Sequence, residues 1–255
     1  MVKVQPNAPE IFHQVMQPAI RFAKKDIMDL PPVVFQNRVC DLSADQETVR
    51  DQFVATAIAM LDSGEQITAA NGGVLMQKLM QVALGFCNGN DGEPTELAHS
   101  MRAKTLPDLT GETDRKVVIF SCYKKSMKMR LDEVRAAGYT AELISGDVSG
   151  SDRARILHDF QYKDDPHVLI AHPQTVSYGV ELSRSDTMIF DGPPMLGGFV
   201  YAQALERLSS AKQTADKISI IRVMASPEEK RGFRLLDEGK SFGDTVAALF
   251  EGFKK

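Results

Sequence analysis

The fold is decided by the stretch KVVIFSCYKKSMKMRLDEVRAAGYTAELI, which occupies residues 116–144. Its first six residues form an apolar, β-branched run that is typical of a buried strand. An amphipathic segment follows over residues 124–137 and ends at Gly138, so the pattern predicts a helix. TAELI at 140–144 then predicts a second strand.

The same alternation continues towards the carboxyl terminus. HVLIA (167–171), TMIF (187–190) and ISIIRV (218–223) predict three further strands, and helices are predicted over residues 151–161 and 199–210. Buried-type strands that alternate with amphipathic helices pair in parallel and are covered on both faces. The sequence therefore predicts an α/β fold, a parallel sheet with helices on both faces.

The upstream part of the chain follows a mainly helical rhythm. Ser43 and Gln46 form a capping-box pattern at the start of one predicted helix, and a second helix is predicted from about Thr68 to Phe86. These two helices predict a helical hairpin. A short helix is expected near Glu96–Leu109 after the turn-rich NGNDGEP. Further upstream, VVFQNRVCDL (33–42) alternates roughly apolar and polar residues, which predicts one strand of a small sheet.

Composition and charge exclude several classes of protein. The balance of 43% hydrophobic and 25% charged residues is typical of a globular chain and argues against disorder or a coiled-coil rod. The net charge of −4 gives no global attraction for nucleic acid, so any polyanion must bind in a local groove. Three widely separated cysteines argue against a disulfide framework or a zinc ribbon. The apolar runs are too short to cross a bilayer, and we expect a cytoplasmic protein.

Two stretches mimic nucleotide-binding motifs without their context. Gly239-Lys240-Ser241 resembles the end of a Walker A loop, but Arg234 stands where a glycine is required, so a helix C-cap is the better interpretation. Asp132-Glu133 resembles a Walker B pair but falls on the polar face of a predicted helix, which predicts a solvated position. GxGxxG, HExxH and GxSxG motifs are absent from the sequence.

The loops after the predicted strands occur in a distinctive order. KVVIFSCYKKSMKMRLDEV, ISGDVSGSDRARILHDFQ, VLIAHPQTVSYGVELSRSDTMIFDGPP and YAQALERLSSAKQT follow one another. Their order strongly resembles the second RecA-like lobe of superfamily-two helicases, and within them the Swi/Snf-type DNA translocases. The first stretch is similar to motif IV, residues 168–194 to motif V, and residues 203–213 to motif VI. KKDIMDLPPVVFQNRVCDLSADQ (24–46) resembles the passage out of the first lobe.

The resemblance implies a domain organisation. It consists of the linker or tail of the first lobe (1–42), a helical insertion (43–110), the RecA-like C-terminal lobe (111–225) and a C-terminal helical extension (226–255).

The resemblance also implies site residues. Arg207 is the candidate cation that stabilises charge on the transferring phosphoryl group, and Gln203 orients either Arg207 or the contact between the two lobes. Gly179 and Glu181 lie at the nucleotide, where Glu181 holds the ribose or Arg207. The candidate contacts to DNA phosphates are Ser121, Lys124, Lys125, Gly146, Arg153, His172, Gln174 and Thr175. Each has a plainer alternative, since cations and amides also occur on helix surfaces and in turns without a ligand.

Departures from the family pattern affect these roles. In motif VI, Ser210 stands where a second arginine is usual, so we expect weakened hydrolysis or a substitute cation, of which Lys212 is the nearest. The other departures are Glu206 for a glycine, Glu181 for an asparagine, His172-Pro173 for a Ser-Thr pair, and the loss of Asn-Pro after Asp191. Such divergence would be unsurprising in a bacteriophage-encoded relative, so the resemblance implies the cytoplasm of a bacterial or phage-infected cell.

The resemblance implies the second motor lobe of an ATP-dependent Swi/Snf-like helicase or translocase. ATP and Mg²⁺ belong to the two-lobe machine, and the partners are double-stranded DNA and a first lobe in cis or in trans. Because this sequence has no Walker A or B motif, it is expected to be inactive as an ATPase alone, whether it is a fragment or a natural single lobe. The alternative is a non-catalytic lobe that binds DNA or protein. An unrelated doubly wound nucleotide- or sugar-binding protein is a third, weaker interpretation.

Overall fold

The predicted alternation builds a six-stranded, all-parallel sheet. In the computed structural model the strands are β1 (Val33–Val39), β2 (Phe86–Asn88), β3 (Pro94–Glu96), β4 (Lys116–Phe120), β5 (Ala141–Ile144), β6 (Val168–Ala171), β7 (Ser185–Phe190) and β8 (Ile218–Met224). The order of strands in the sheet is β1-β8-β7-β4-β6-β5. The helices are α1 (Ala8–Val15), α2 (Ala44–Asp62), α3 (Ala69–Ala83), α4 (Arg102–Thr110), α5 (Lys124–Ala136), α6 (Gly150–Tyr162), α7 (Gly198–Leu205) and α8 (Pro227–Asp237), with a 3₁₀ helix at Pro173–Val176.

The structure describes residues 7–15, 17, 29–62, 69–89, 92–97, 100–176, 180–195 and 197–240. The chain divides into two compact units, Met1–Leu30 and Pro31–Lys255. Within the described residues of the first unit lies α1, and the sheet belongs entirely to the second unit. No helix in the described ranges is long and apolar enough to cross a bilayer.

The central strand β4 shows why the predicted strands are continuous apolar runs. Val118 and Phe120 face one core, which α6, α7 and α8 cover, whereas Val117 and Ile119 face a second core, which α4 and α5 cover. All four side chains are buried. Since a strand that is buried on both faces has no solvent side, it loses the apolar–polar alternation. The parallel sheet with helices on both faces is therefore confirmed.

The helical hairpin is confirmed, and its first helix begins with the predicted capping box. Gln46 N–H donates to Ser43 Oγ at 3.3 Å, and Ser43 N–H donates to Gln46 Oε1 at 3.0 Å, which completes the capping box of α2. The second helix ends at Ala83, earlier than predicted, because Phe86–Asn88 pairs with Pro94–Glu96 in a small antiparallel ribbon. The short helix near Glu96–Leu109 is observed as α4.

The prediction that VVFQNRVCDL belongs to a small sheet is wrong. Residues Val33–Val39 form β1, which pairs in parallel with β8 along the edge of the main sheet, from Val33↔Ile218 to Val39↔Met224. The half-exposed, roughly alternating pattern is that of an edge strand. The alternation identified the strand, but its partner lies about 185 residues away, a pairing that local pattern does not encode.

The Walker A-like residues Gly239 and Lys240 lie at the end of helix α8. Ser226 and Glu229 form a capping box at its start. At its end Gly239 has φ +70°, and the amides of Gly239 and Lys240 donate back to Leu236 O at 3.0 Å and Leu235 O at 2.9 Å. This is the left-handed end of a helix, so the C-cap interpretation holds for the described residues. Ser241 lies outside the described residues.

Candidate functional site

The loops that follow β4, β5, β6 and β7 meet at the carboxyl edge of the sheet. They begin at Ser121, Ser145, His172 and Asp191. His172 N–H donates to Ile144 O at 3.2 Å and Asp191 N–H donates to Phe120 O at 2.9 Å. In open parallel sheets this edge is where ligands bind. Most of the predicted DNA contacts are carried by these loops.

Arg207 and Gln203 lie where the helix of the motif VI stretch ends. Gln203 is on the last turns of α7, and Arg207 is in the turn that follows, with its Nε donating to Gln203 O at 3.2 Å. Both side chains are half-buried. Within the described part of the chain, no carboxylate forms an ion pair with Arg207. Among the described residues, the two terminal nitrogens of this guanidinium also have no hydrogen-bond partner, and both can donate to an anion.

α7 packs against the 3₁₀ helix Pro173–Val176 and against α8. The structure thus brings the motif V and motif VI stretches together. Gly179, predicted at the nucleotide, lies outside the described residues.

Glu181 does not hold Arg207, and that part of its prediction is wrong. Ser210 Oγ donates to Glu181 Oε1 at 2.8 Å, and Lys212 Nζ lies 4.0 Å from Oε2. Burial opposes ionisation, but the hydrogen bonds from Ser210 and Ser183 and the charge of Lys212 lower the pKa of Glu181. The carboxylate is thus ionised and accepts a hydrogen bond from Ser210, the residue predicted at the position of the second motif VI arginine.

Ser121 is buried, so the prediction that it contacts a DNA phosphate is wrong. The residue is 2% exposed. Its hydroxyl donates to Asp191 Oδ2 at 3.0 Å and shares a 2.5 Å hydrogen bond with the hydroxyl of Ser126. The serine lies at the end of a central strand, where neighbouring loops enclose it. It therefore joins the loops after β4 and β7 from the inside.

Lys124 and Lys125 start α5 beside this buried group. Lys124 Nζ lies 2.7 Å from Asp147 Oδ1, with both side chains mostly exposed, and Lys125 Nζ lies 2.5 Å from Glu96 Oε1. The first pair ties the loop after β4 to the loop after β5. Since exposed ion pairs contribute little free energy, both lysines can exchange these partners for a phosphate.

Gly146 and Arg153 belong to the loop after β5 and the first turn of α6. Gly146 is exposed, and Arg153 Nη2 lies 3.4 Å from Ser145 O. Ser149 caps α6 by accepting a hydrogen bond from the Asp152 amide at 3.1 Å. The arginine is half-buried, and within the described residues it forms no ion pair.

His172, Gln174 and Thr175 form a turn bonded mainly to itself. His172 Nδ1 accepts from the Gln174 amide at 3.3 Å, and Thr175 Oγ1 donates to His172 O at 2.7 Å. Burial lowers the pKa of His172, so the imidazole is neutral at pH 7. His172 therefore offers a neutral N–H and not a positive charge, and the Thr175 hydroxyl proton is already used.

Sequence reasoning missed a group of charged side chains that pack behind these loops. We call this group the buried charge cluster, and its members are Arg102, Arg130, Glu133, Asp191 and Glu229. Asp191 is fully buried, with Arg102 Nη1 3.6 Å from its Oδ1 and Arg130 Nε 3.6 Å from its Oδ2. Arg102 also donates to both oxygens of Glu229, each at 2.8 Å. Arg130 Nη1 lies 3.1 Å from Glu133. The charged positions were visible in the sequence, but their partners are remote along the chain.

The prediction that Asp132 and Glu133 both lie on a solvated helix face is wrong for Glu133. Asp132 is exposed, as expected of a solvated helix face, whereas Glu133 is partly buried against Arg130. Burial, with Asp191 and Glu96 nearby, raises the pKa of Glu133 to about 7. Among the described residues, no three His, Cys, Asp or Glu side chains come together as a metal site.

Comparison with known proteins agrees with this geometry. Residues 101–216 match the family of the helicase conserved C-terminal domain. The chromatin-remodeling ATPase INO80 of Kluyveromyces lactis is 25% identical over 165 residues, which are 62% of this chain and 11% of that protein. The chain therefore spans about a ninth of the length of the curated relative it matches.

Solved structures show the same fold. The C-terminal part of the Fun30 ATPase domain superposes with a TM-score of 0.70 at 16% identity, over 87% of this chain and 97% of that one. The Sulfolobus solfataricus SWI2/SNF2 ATPase core in complex with dsDNA gives 0.65 at 18%, over 94% and 52%. The C-terminal domain of that ATPase gives 0.60 at 15%, over 84% and 92%. The predicted RecA-like fold and the resemblance to the C-terminal lobe of Swi/Snf-type ATPases are confirmed.

Proposed function

We propose that this chain, in which residues 101–216 match the helicase conserved C-terminal domain, acts as the second motor lobe of an ATP-dependent Swi/Snf-like DNA helicase or translocase. The observation that carries the proposal is the guanidinium of Arg207. It is half-exposed, oriented by the Gln203 carbonyl, and without a carboxylate partner in the described part of the chain. A cation in this state can stabilise charge that develops on a phosphoryl group in the transition state.

The remaining parts of the nucleotide site come from a first lobe, which supplies a phosphate-binding loop and the ligands of Mg²⁺. The 255 residues hold neither Walker motif, so ATP hydrolysis requires the two lobes together, in cis or in trans. The backbone carbonyl of Gln203 accepts a hydrogen bond from Arg207 Nε at 3.2 Å and so helps to orient the guanidinium, a contact that does not use the Gln203 side chain. Lys212, 4.0 Å from Glu181, is the second cation near the motif VI stretch.

Duplex DNA is the proposed polymer, held through its phosphates by the loops at the carboxyl edge of the sheet. Lys124, Lys125 and Arg153 supply positive charge, while the Gly146 loop, His172 and Gln174 supply neutral donors. The Sulfolobus SWI2/SNF2 core, which shares this fold, was solved in complex with dsDNA. Phosphate contacts position a protein on DNA without reading its sequence.

The test is ATP turnover of the chain mixed with a first lobe, with and without duplex DNA. We expect turnover only in the mixture, and Arg207→Ala should lower the DNA-stimulated rate by about 10³-fold. Arg234→Ala, an equivalent change of an exposed arginine on α8, should leave the rate unchanged. Unchanged turnover in Arg207→Ala would remove the assignment of Arg207.

A non-catalytic lobe that binds DNA or protein is the second candidate. The observation that favours it is the hydrogen bond between Ser210 and Glu181 at 2.8 Å. It places a neutral hydroxyl and a carboxylate where the family has its second arginine, and a carboxylate repels a triphosphate. Binding of duplex DNA without turnover in the two-lobe mixture would select this candidate.

A further inference from the structure

A second cavity lies at the amino edge of the sheet, opposite the loops described above. Its volume is about 440 Å³, which is within the usual range of small-molecule sites. The residues that line it are Asp114, Arg115, Lys116, Asp164, His167, Arg184 and Thr214. Nothing in the proposed motor function uses these residues.

The sheet topology explains why basic side chains gather here. Lys116 begins β4, His167 immediately precedes β6, and Arg184 immediately precedes β7. Since β7, β4 and β6 are neighbours in the sheet, the three residues stand side by side at their amino ends. The Val117 amide donates to His167 O at 3.1 Å, which holds the start of β4 beside the start of β6 and so keeps Lys116 next to His167.

Lys116 is the buried cation of the cavity. It is 5% exposed, donates from Nζ to Pro166 O at 2.8 Å and lies 5.1 Å above the Phe160 ring. An ammonium group has three N–H donors, so one carbonyl does not satisfy it. Burial, together with the charge of Arg184, lowers the pKa of Lys116 to about 8, despite the acidic residues around it. A cation in this position is stabilised by an added anion.

Other donors around the cavity also lack partners. In the described part of the chain, the buried atoms Arg115 Nε and His167 Nε2 have no hydrogen-bond partner. Arg115 Nε lies 3.9 Å from Asp186, beyond hydrogen-bond distance. Arg184 lies 3.9 Å from the fully exposed Asp164. Two arginines, the Lys116 amine and one imidazole nitrogen without a hydrogen-bond partner among the described residues thus line the cavity with two carboxylates, Asp114 and Asp164, while Asp186 lies 3.9 Å from Arg115.

We propose that this amino-edge cavity binds a phosphate-type oxyanion between Lys116, Arg115 and Arg184, with His167 as a neutral partner. Charge-assisted hydrogen bonds to oxyanions satisfy the donors that the protein leaves unpaired. The phosphoryl group of a free small molecule and the phosphate of a nucleic-acid backbone share this chemistry. The site is independent of ATP hydrolysis and of the DNA contacts at the opposite edge.

The experiment is a titration of inorganic phosphate into the full chain at constant ionic strength, followed through backbone amide shifts. We expect shifts at Arg115, Lys116, His167 and Arg184. Arg184→Gln should weaken binding about tenfold or more, because it removes a charged donor. Since Arg184 is 52% exposed, this variant should fold normally. Lys116→Met is a second variant that removes the buried charge.

Arg234→Gln is the matched control, because Arg234, on helix α8, is also exposed and has a similarly long ion pair at 4.0 Å. It should bind phosphate like the wild type. The proposal is overturned if no shifts occur at the cavity, or if Arg184→Gln and Arg234→Gln titrate alike. Adding duplex DNA identifies the source of the oxyanion. Displacement of phosphate indicates a nucleic-acid backbone, and retention of phosphate indicates a free small molecule.

Discussion

Asp191 lies at the end of β7 between two arginines, and this position connects the core to the loops of the candidate site. Its carboxylate faces Arg102 and Arg130 at 3.6 Å each and accepts from Ser121 at 3.0 Å. Removing one member of a buried charge group leaves the others uncompensated, which costs more than the group contributes. The buried charge cluster therefore holds the loops after β4 and β7 together from the inside.

Glu133 should make the stability of the protein depend on pH. Burial raises its pKa from 4.5 to about 7 in the folded state. Between these two values the folded chain binds more protons than the unfolded chain, so the free energy of unfolding falls as pH rises from 4.5 to 7 and is flat above. We expect a loss of up to about 3 kcal/mol across this window.

Urea unfolding at pH 5 and at pH 7.5 measures this effect. Glu133→Gln should remove most of the difference, because the amide does not titrate. Glu47→Gln, at an exposed position on α2, should retain the wild-type difference. If Glu133→Gln keeps the full pH dependence, another group is responsible.

At the scale of elements, Gln46 joins the two helices of the hairpin. It caps the start of α2, and its side-chain Nε2 donates to Val82 O at 2.6 Å and Ala83 O at 3.3 Å at the end of α3. Gln46 is 1% exposed. Gln46→Glu should destabilise the chain by about 2 kcal/mol, because buried carbonyls lose their donor and face an oxygen.

Denaturant unfolding of Gln46→Glu checks this expectation. Gln52→Glu makes the same chemical change at an exposed position on the same helix and should alter the free energy of unfolding by less than about 0.5 kcal/mol. Equal losses in the two variants would mean that the amide contacts of Gln46 do not stabilise the hairpin.

Local sequence signals predicted the elements but not their remote partners. The buried strands, the hairpin and the capping box of α2 follow from composition and spacing over a few residues. The membership of β1 in the main sheet depends on β8, and the ribbon β2–β3 depends on three-residue strands that have no periodicity. Short strands and edge pairings are decided by tertiary contacts.

The same limit applies to the candidate site. The order of loops placed Lys124 and Arg153 at the carboxyl edge correctly, since the carboxyl ends of parallel strands always meet there. It did not show that Ser121 is enclosed by Asp191 and Ser126, or that Glu181 bonds to Ser210. These outcomes depend on which side chain lies opposite, and the sequence pattern does not contain that information.

At the scale of the whole molecule, function depends on how charge is distributed over the two edges of the sheet. The chain carries 30 Lys and Arg against 34 Asp and Glu, so its overall field repels a polyanion. Attraction for duplex DNA must therefore come from short-range contacts, and the proposed function places these contacts at the carboxyl edge. Binding of duplex DNA should therefore weaken steeply as salt rises, because counterions are released only at those contacts.

Three cations at the carboxyl edge, Lys124, Lys125 and Arg153, predict a slope of about −3 for log K against log salt concentration. Lys124→Gln should reduce this slope by about one, whatever the DNA sequence. Lys163→Gln is the matched control, since Lys163 is an exposed lysine with an ion pair at 2.9 Å, as Lys124 has at 2.7 Å. Fluorescence anisotropy with two unrelated duplexes measures both slopes. Salt-independent binding, a preference for one duplex, or equal slopes in the two variants would contradict phosphate contacts at this edge.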